Sequence, residues 1–226
     1  MAQSSKRFRE AQKKVDASKR YAVAEAVAVL KTFPPAKFDE TVEISMRLGV
    51  DVKQPDQMLR GSASLPKGLG REKRVIAFCV GAAAEAAKEA GAVEAGGEEL
   101  VKKVQDGWTE FDIAVAAPDM MRIVGKLGRV LGPQGKMPSP KSGTVAENVP
   151  QAVKEFRAGR MEYRTDATGN LHAPVGKLSF TEEDLRQNVE SFIAHIQAAK
   201  PASVKGVFIV AAYLSSTMSP AIRLAV

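Results

Sequence analysis

The chain has 226 residues, of which 45% are hydrophobic and 26% charged, and it carries a net charge of +7. This is enough apolar material for one large core or two modest ones, and the charged share is too ordinary for wholesale disorder. A basic chain of this size points to a polyanionic partner. A membrane-embedded protein is set aside, because no apolar run approaches the roughly 18 residues that span a bilayer.

The first 37 residues hold nine Lys and Arg against three Asp and Glu. No apolar segment follows the basic start MAQSSKRFREAQKK, so this stretch reads as a helix or arm rather than a secretory signal. Tyr21 to Phe33 is Ala-rich with apolar residues at helical spacing, and Pro34-Pro35 ends it. From Phe38 to Val50 the period changes to two. Phe38, Val42, Ile44, Met46, Leu48 and Val50 fall on even positions, and Asp39, Thr41, Glu43, Ser45 and Arg47 on odd ones. That pattern predicts a strand with one face buried and one exposed. Gly61 to Gly70 (GSASLPKGLG) reads as a loop and as the first candidate domain boundary.

Beyond it the style of strand changes. Val75 to Val80 (VIAFCV) is continuously apolar, as in a strand covered on both faces. A helix over Ala82 to Ala90 follows, then Gly96-Gly97 and a second helix over Glu98 to Gln105. Phe111 to Ala117 is another apolar strand, and Pro118-Asp119 opens a helix reaching about Leu131. Strands alternating with helices predict a parallel sheet, so the middle of the chain reads as a small α/β domain. Gly132 to Gly143 is a loop, and Val149 to Arg157 a short helix ended by Gly159. Arg160 to Arg164 and Leu171 to Phe180 read as strands joined by a turn at Asp166 to Asn170. Thr181 with Asp184 makes a capping-box pattern for a helix running to about Lys200. Gly206 to Leu214 is a last apolar strand, and the remainder reads as a tail. The charge is zoned as well. Pro118 to Arg160 carries eight basic against three acidic residues, whereas Ala82 to Ala117 carries three against eight.

Catalytic chemistry has little support. His195 lies in an amphipathic helix, where a packed histidine is the ordinary case. His172 lies in a strand beside a glycine turn, where it could contact a phosphate or a base. The single cysteine, Cys79, sits in an apolar run, so neither an internal disulfide nor a cysteine zinc site is available, and a reducing cytoplasm fits. Gly132-Pro-Gln-Gly135-Lys136 has the wrong spacing for a P-loop, and Gly125, Gly128 and Gly132 do not form a dinucleotide fingerprint. No cofactor, metal or small-molecule substrate is expected.

Six stretches together resemble the ribosomal protein L1 family of the bacterial large subunit. They are AKFDETVEISMRLGVD, QMLRGSASLPKGLG, GGEELVKKVQDGWTEFD, KLGRVLGPQGKMPSPKSGTV, FRAGRMEYRTDATGNLHAPVGKLSF and STMSPAIRL, and in this order they cover nearly the whole chain. The resemblance implies an α/β protein of two domains. Residues 1–67 and 160–226 would form an α+β first domain with an antiparallel sheet and flanking helices. Residues 68–159 would form an inserted, Rossmann-like three-layer domain. It further implies an RNA site at Lys37, Phe38, Thr41, Glu43, His172, Lys177, Ser179, Thr217, Met218 and Ser219. The parity of Phe38 would bury it, and Met218 could fill a core gap. Ser219 stands where the family has glycine. An auxiliary RNA surface is implied at Lys126, Arg129, Lys136 and Lys141. The implied partners are the rRNA stalk of the large subunit, deacylated tRNA at the exit site and the messenger of the protein's own operon, which it would repress. The protein would be a monomer when free of the ribosome and would not touch membranes. Two other classes compete: a nucleotide-dependent enzyme built on the α/β domain, and a basic packaging protein without RNA specificity.

Overall fold

The computed structural model describes residues 5–226, so the first four residues of the basic N-terminal stretch lie outside the described part. The chain folds into two compact units, one of residues 1–70 and 163–226 and the other of residues 71–162. The sequence-based breaks at 67/68 and 159/160 lie three residues before these boundaries.

Unit 1 is built on a four-stranded sheet. Helices α1 (Lys6–Lys13) and α2 (Val23–Lys31) precede β1 (Thr41–Leu48). Strand β2 (Arg60–Ala63) leads out of the unit. The second part of the unit supplies β7 (Asn170–Lys177), α8 (Glu182–Ala198), β8 (Ile209–Ser216) and β9 (Ile222–Arg223). The strand order is β7-β1-β8-β9, antiparallel throughout. Alternation in β1 works as the period predicts. Val42, Ile44, Met46 and Leu48 are buried, as are Leu30 of α2 and Leu185, Val189, Phe192 and Ile196 of α8, and the helices pack on each other and on the neighbouring strands, α2 on β8 and α8 on β7. Thr181 caps α8 by accepting from the Asp184 N–H at 3.1 Å. The two ends of the chain close the unit together. The Tyr21 N–H donates to the Arg223 carbonyl (2.9 Å), and the Ala225 N–H donates back to Tyr21 (2.8 Å).

Buried Asn188 on α8 ties down the segment that leaves unit 1. Its Nδ2 donates to the Gly68 and Val175 carbonyls at 3.0 and 2.8 Å, and its Oδ1 accepts from the Lys67 N–H at 3.0 Å. Both amide hydrogens and the carbonyl oxygen thereby find partners inside the core, which offsets the cost of burying the group.

Unit 2 holds β3 (Val75–Phe78), α3 (Ala82–Glu89), β4 (Glu94–Gly96), α4 (Glu98–Gln105), β5 (Ile113–Ala116) and α7 (Val149–Ala158). Its sheet is parallel, in the order β4-β3-β5. Strand β3 faces two cores. Ile76 and Phe78 pack with Leu100, Val104, Val124 and Leu127, while Val75 and Ala77 pack with Ala87, Val153 and Phe156. This three-layer arrangement is why the strand is apolar at every position. Val80, expected to end it, lies outside the strand and is exposed.

The departures from the expected elements are local, and the short strand β4 is one of them. The helix expected from Pro118 to Leu131 is broken into a 3-10 turn (Pro118–Met120), α5 (Met121–Val124), a second 3-10 turn (Gly125–Leu127) and α6 (Gly128–Leu131). The breaks fall at Gly125 and Gly128, and glycine is a poor helix former. Part of the Gly61 to Gly70 loop is strand β2, which pairs with β6 (Met161–Arg164). The expected tail contains β9, which pairs with β8.

Candidate nucleic-acid interface

Strand β1 lies between β7 and β8, so its odd-numbered residues sit in rows that cross the sheet. Thr41 faces Lys177, Glu43 lies between Pro174 and Ser215, and Ser45 between His172 and Tyr213. A bulge between Val42 and Glu43 leaves Val175 of β7 without a partner on β1. Bulges re-aim side chains at the end of a strand pair, and this one precedes Lys177. None of these odd-numbered β1 residues is buried, and helices α2 and α8 occupy the other face.

The Thr41 row brings together segments more than a hundred residues apart. The Lys177 ammonium donates to Thr41 Oγ1 at 2.8 Å and reaches the Asp39 carbonyl at 3.5 Å. The Thr41 N–H donates to Thr217 Oγ1 (3.0 Å), and the Thr217 N–H donates to the Thr41 carbonyl (3.0 Å). Asp39 holds Ser179 by accepting from its N–H at 3.2 Å and its hydroxyl at 2.8 Å.

Beneath this row lies a residue that the sequence reading did not single out. Glu40 is only 3% exposed. Its Oε2 accepts from the Ser216 hydroxyl (2.6 Å) and the Met218 N–H (3.1 Å), and its Oε1 accepts from the Ala36 N–H (3.1 Å) with the Arg7 guanidinium 3.9 Å away. A carboxylate out of water costs several kcal/mol unless neighbours replace its hydration. These neighbours do so, and in doing so they pin the loop before β1 to the loop after β8. The signal was available in the sequence. Glu40 falls on the buried parity of the first strand, and an acid in that position needs partners.

Phe38 and Met218 project from those two loops. Phe38 is 55% exposed and Met218 53%, which corrects the parity argument that buried Phe38 and the view of Met218 as core filling. The buried parity of β1 extends back to Glu40, which adjoins the strand, but not to Phe38, which lies further out in the loop. Lys37 is exposed beside it. Ser219 is spent on its own turn, with its hydroxyl accepting from the Ser216 N–H at 2.8 Å and its N–H donating to the Ser216 carbonyl at 3.1 Å. Among the described residues no non-glycine residue has positive φ, so this turn does not need the conformational freedom of glycine. His172 is exposed two rows from Thr41, with Nδ1 3.0 Å from Ser45 Oγ and Nε2 4.0 Å from Asp166. Asp166 closes the turn before β7. Hydrogen bonds from Asn170 and Thr168 hold its carboxyl down at about 2.

The four basic residues expected to form an auxiliary surface belong to unit 2. Lys126, Arg129 and Lys141 are exposed on its short helical turns. Lys136 differs. Its ammonium donates to the Thr109 carbonyl at 2.9 Å and lies 5.1 Å from the Phe111 ring centre, so it acts first as an internal clasp. His195 packs edge-on against Tyr163, with Nε2 3.2 Å from the phenol oxygen. Cys79 is buried, and burial pushes its thiol up, away from the reactive thiolate. Among the described residues no group of three or more potential metal ligands assembles, and no helix is long and apolar enough to cross a membrane.

Residues 30–220 match the profile of the ribosomal protein L1p/L10e family. The chain is 50% identical to the large ribosomal subunit protein uL1 of Kosmotoga olearia, over 99% of this chain and 97% of that one. It is 48% identical to the protein of the same name from Thermus thermophilus (99% and 98%) and 48% identical to that from Protochlamydia amoebophila (99% and 95%).

Proposed function

The chain belongs to the ribosomal protein L1p/L10e family, and from that premise we propose that it is a structural protein of the large ribosomal subunit that binds rRNA through the Thr41–Thr217 edge of unit 1. Its family is one of ribosomal proteins rather than enzymes. The observation that carries the reading is the meeting of three distant segments at one edge. Exposed Phe38 and Met218 stand there beside the Thr41 and Thr217 hydroxyls and the Lys177 ammonium, all braced by Glu40. A lysine neutralises phosphate and gives salt-dependent affinity. Hydroxyls and main-chain groups read the 2′-OH and the shape of an irregular RNA, and exposed apolar side chains stack on splayed bases.

On this reading the RNA is the mobile stalk of the large subunit. Unit 1 is the primary RNA-binding domain, and unit 2 offers Lys126, Arg129 and Lys141 as an auxiliary surface. The protein works in the cytoplasm, where it helps release deacylated tRNA from the exit site and, as a free monomer, represses the messenger of its own operon. Competition of two RNAs for one site would give feedback when rRNA is scarce. The test is binding to a stalk-rRNA fragment beside a duplex of equal length across a salt series. Tight binding to the fragment that persists at physiological salt, with the duplex falling away, supports the proposal. Equal and steeply salt-sensitive binding to both would favour a packaging role resting on charge alone.

A further inference from the structure

The same face of the unit 1 sheet carries a second feature, two rows from Thr41. A groove of about 450 Å³ crosses β1, β8 and β9. Half-buried Tyr213 lies at its centre, between Ser45 of β1 and Arg223 of β9. Arg47 stands one row further along β1, opposite Ala211 and diagonal to Tyr213. His172 and Asn170 close the side formed by β7.

The guanidinium groups of this groove have no anion of their own among the described residues. Arg7, Arg74, Arg157 and Arg186 each lie within 4 Å of a carboxylate. Arg47 and Arg223 do not. Among the described residues neither guanidinium has a hydrogen bond or an ion pair, the Tyr213 hydroxyl is also without a partner, and no acid lines the groove. Two planar forks of N–H donors on either side of an aromatic ring, with no internal anion, are complementary to a phosphate and a base. Adjacent strands are about 4.8 Å apart, so the row from His172 to Arg223 spans roughly 14 Å, room for the base and phosphate of one nucleotide.

We infer that this groove is a further RNA subsite. It takes one nucleotide of a single-stranded or splayed segment, with the phosphate between Arg47 and Arg223 and the base against the Tyr213 ring. The inference rests on the RNA reading of the Thr41–Thr217 edge and extends the path of the strand along the sheet away from it.

The test uses the full chain and the stalk-rRNA fragment, with R47Q, R223Q, R47K, R223K, Y213L and T217V compared with the parent after thermal unfolding has established that each is folded. R47Q and R223Q should each bind about 3- to 10-fold more weakly, and each should lower the slope of log affinity against log salt by part of the roughly 0.7 to 0.9 that their one shared phosphate contributes. R47K and R223K should keep the parental slope. Y213L should bind about 5-fold more weakly or worse with its slope unchanged, because stacking is not ionic. Parental affinity and slope in R47Q, R223Q and Y213L, with T217V weakened, would overturn the groove and leave the edge reading intact. Parental binding in all of these variants, T217V included, would overturn both.

Discussion

The two units solve the same problem of burying a sheet in opposite ways. In unit 2, helices cover both faces of β3, and every residue from Val75 to Phe78 is buried. In unit 1, helices α2 and α8 cover one face, and the other presents Thr41, Glu43, Ser45 and Arg47. A sheet covered on both sides can offer a partner only its loops and edges. A sheet covered on one side can offer rows of side chains in a register fixed by backbone hydrogen bonds. That difference is the reason we propose unit 1 for the primary RNA surface, with unit 2 contributing through its glycine-rich turns.

Two phenylalanines put the contrast to the test most strongly. Phe78 is fully buried in β3 and Phe38 stands 55% exposed before β1. Phe78→Ala should cost about 3–5 kcal/mol in urea unfolding. Phe38→Ala should stay within about 0.5 kcal/mol of the parent and yet weaken binding to the stalk fragment. Equal stability losses would erase the distinction. Glu40 comes next. Glu40→Ala strips the partner from Ser216, Met218 and Ala36, and it should cost about 3 kcal/mol, near the range for breaking a buried charged network. RNA affinity should fall with it, whereas Glu40→Gln should recover part of the stability. Thr217→Val removes the acceptor for the Thr41 N–H. It should lower stability by about 1 kcal/mol and RNA affinity by about tenfold, or about 1.4 kcal/mol of binding, as read by filter binding or calorimetry. In unit 2, the double change Lys126→Gln and Arg129→Gln should weaken binding by only about 2- to 3-fold, mainly through a shallower salt slope. A larger loss there than at Thr217 would reverse the ranking of the two units.

The smallest effect concerns Asp166. Its folded carboxyl titrates at about 2, against about 3.9 for a free aspartate. A depressed folded value means that its contribution is present above about pH 3.9 and is lost as the pH falls toward 2. The stability gap between the parent and Asp166→Asn should therefore shrink between pH 4 and pH 2. A gap that stays constant across that window would show that the carboxylate does not hold the turn.

Much of this was legible because period and composition act locally. The alternation of Val42, Ile44, Met46 and Leu48 specified the buried face of β1, and the unbroken run at Val75 marked a strand buried on both sides. Strands β4 and β9 were missed because three and two residues are too few to show a period. The sequence of β2 reads as loop because its glycine is a poor strand former, and only pairing with β6 makes it a strand. Within the candidate site, the residue types at Thr41, Lys177 and Thr217 carried no local mark of their meeting. Antiparallel pairing over 176 positions joins Thr41 to Thr217, and a one-sequence reading cannot supply that register. Glu40 was visible as an acid on an apolar parity, yet the function of such an acid appears only once the loops it holds are in view.

Hydrogen exchange on the full chain, with and without the stalk-rRNA fragment, tests the division of labour most directly. Protection on RNA addition should appear at residues 37–43, 177–179 and 216–219, with at most weak protection at 126–141. Protection concentrated at 126–141, with the Thr41 and Thr217 segments exchanging as before, would contradict the assignment of the primary RNA surface to unit 1.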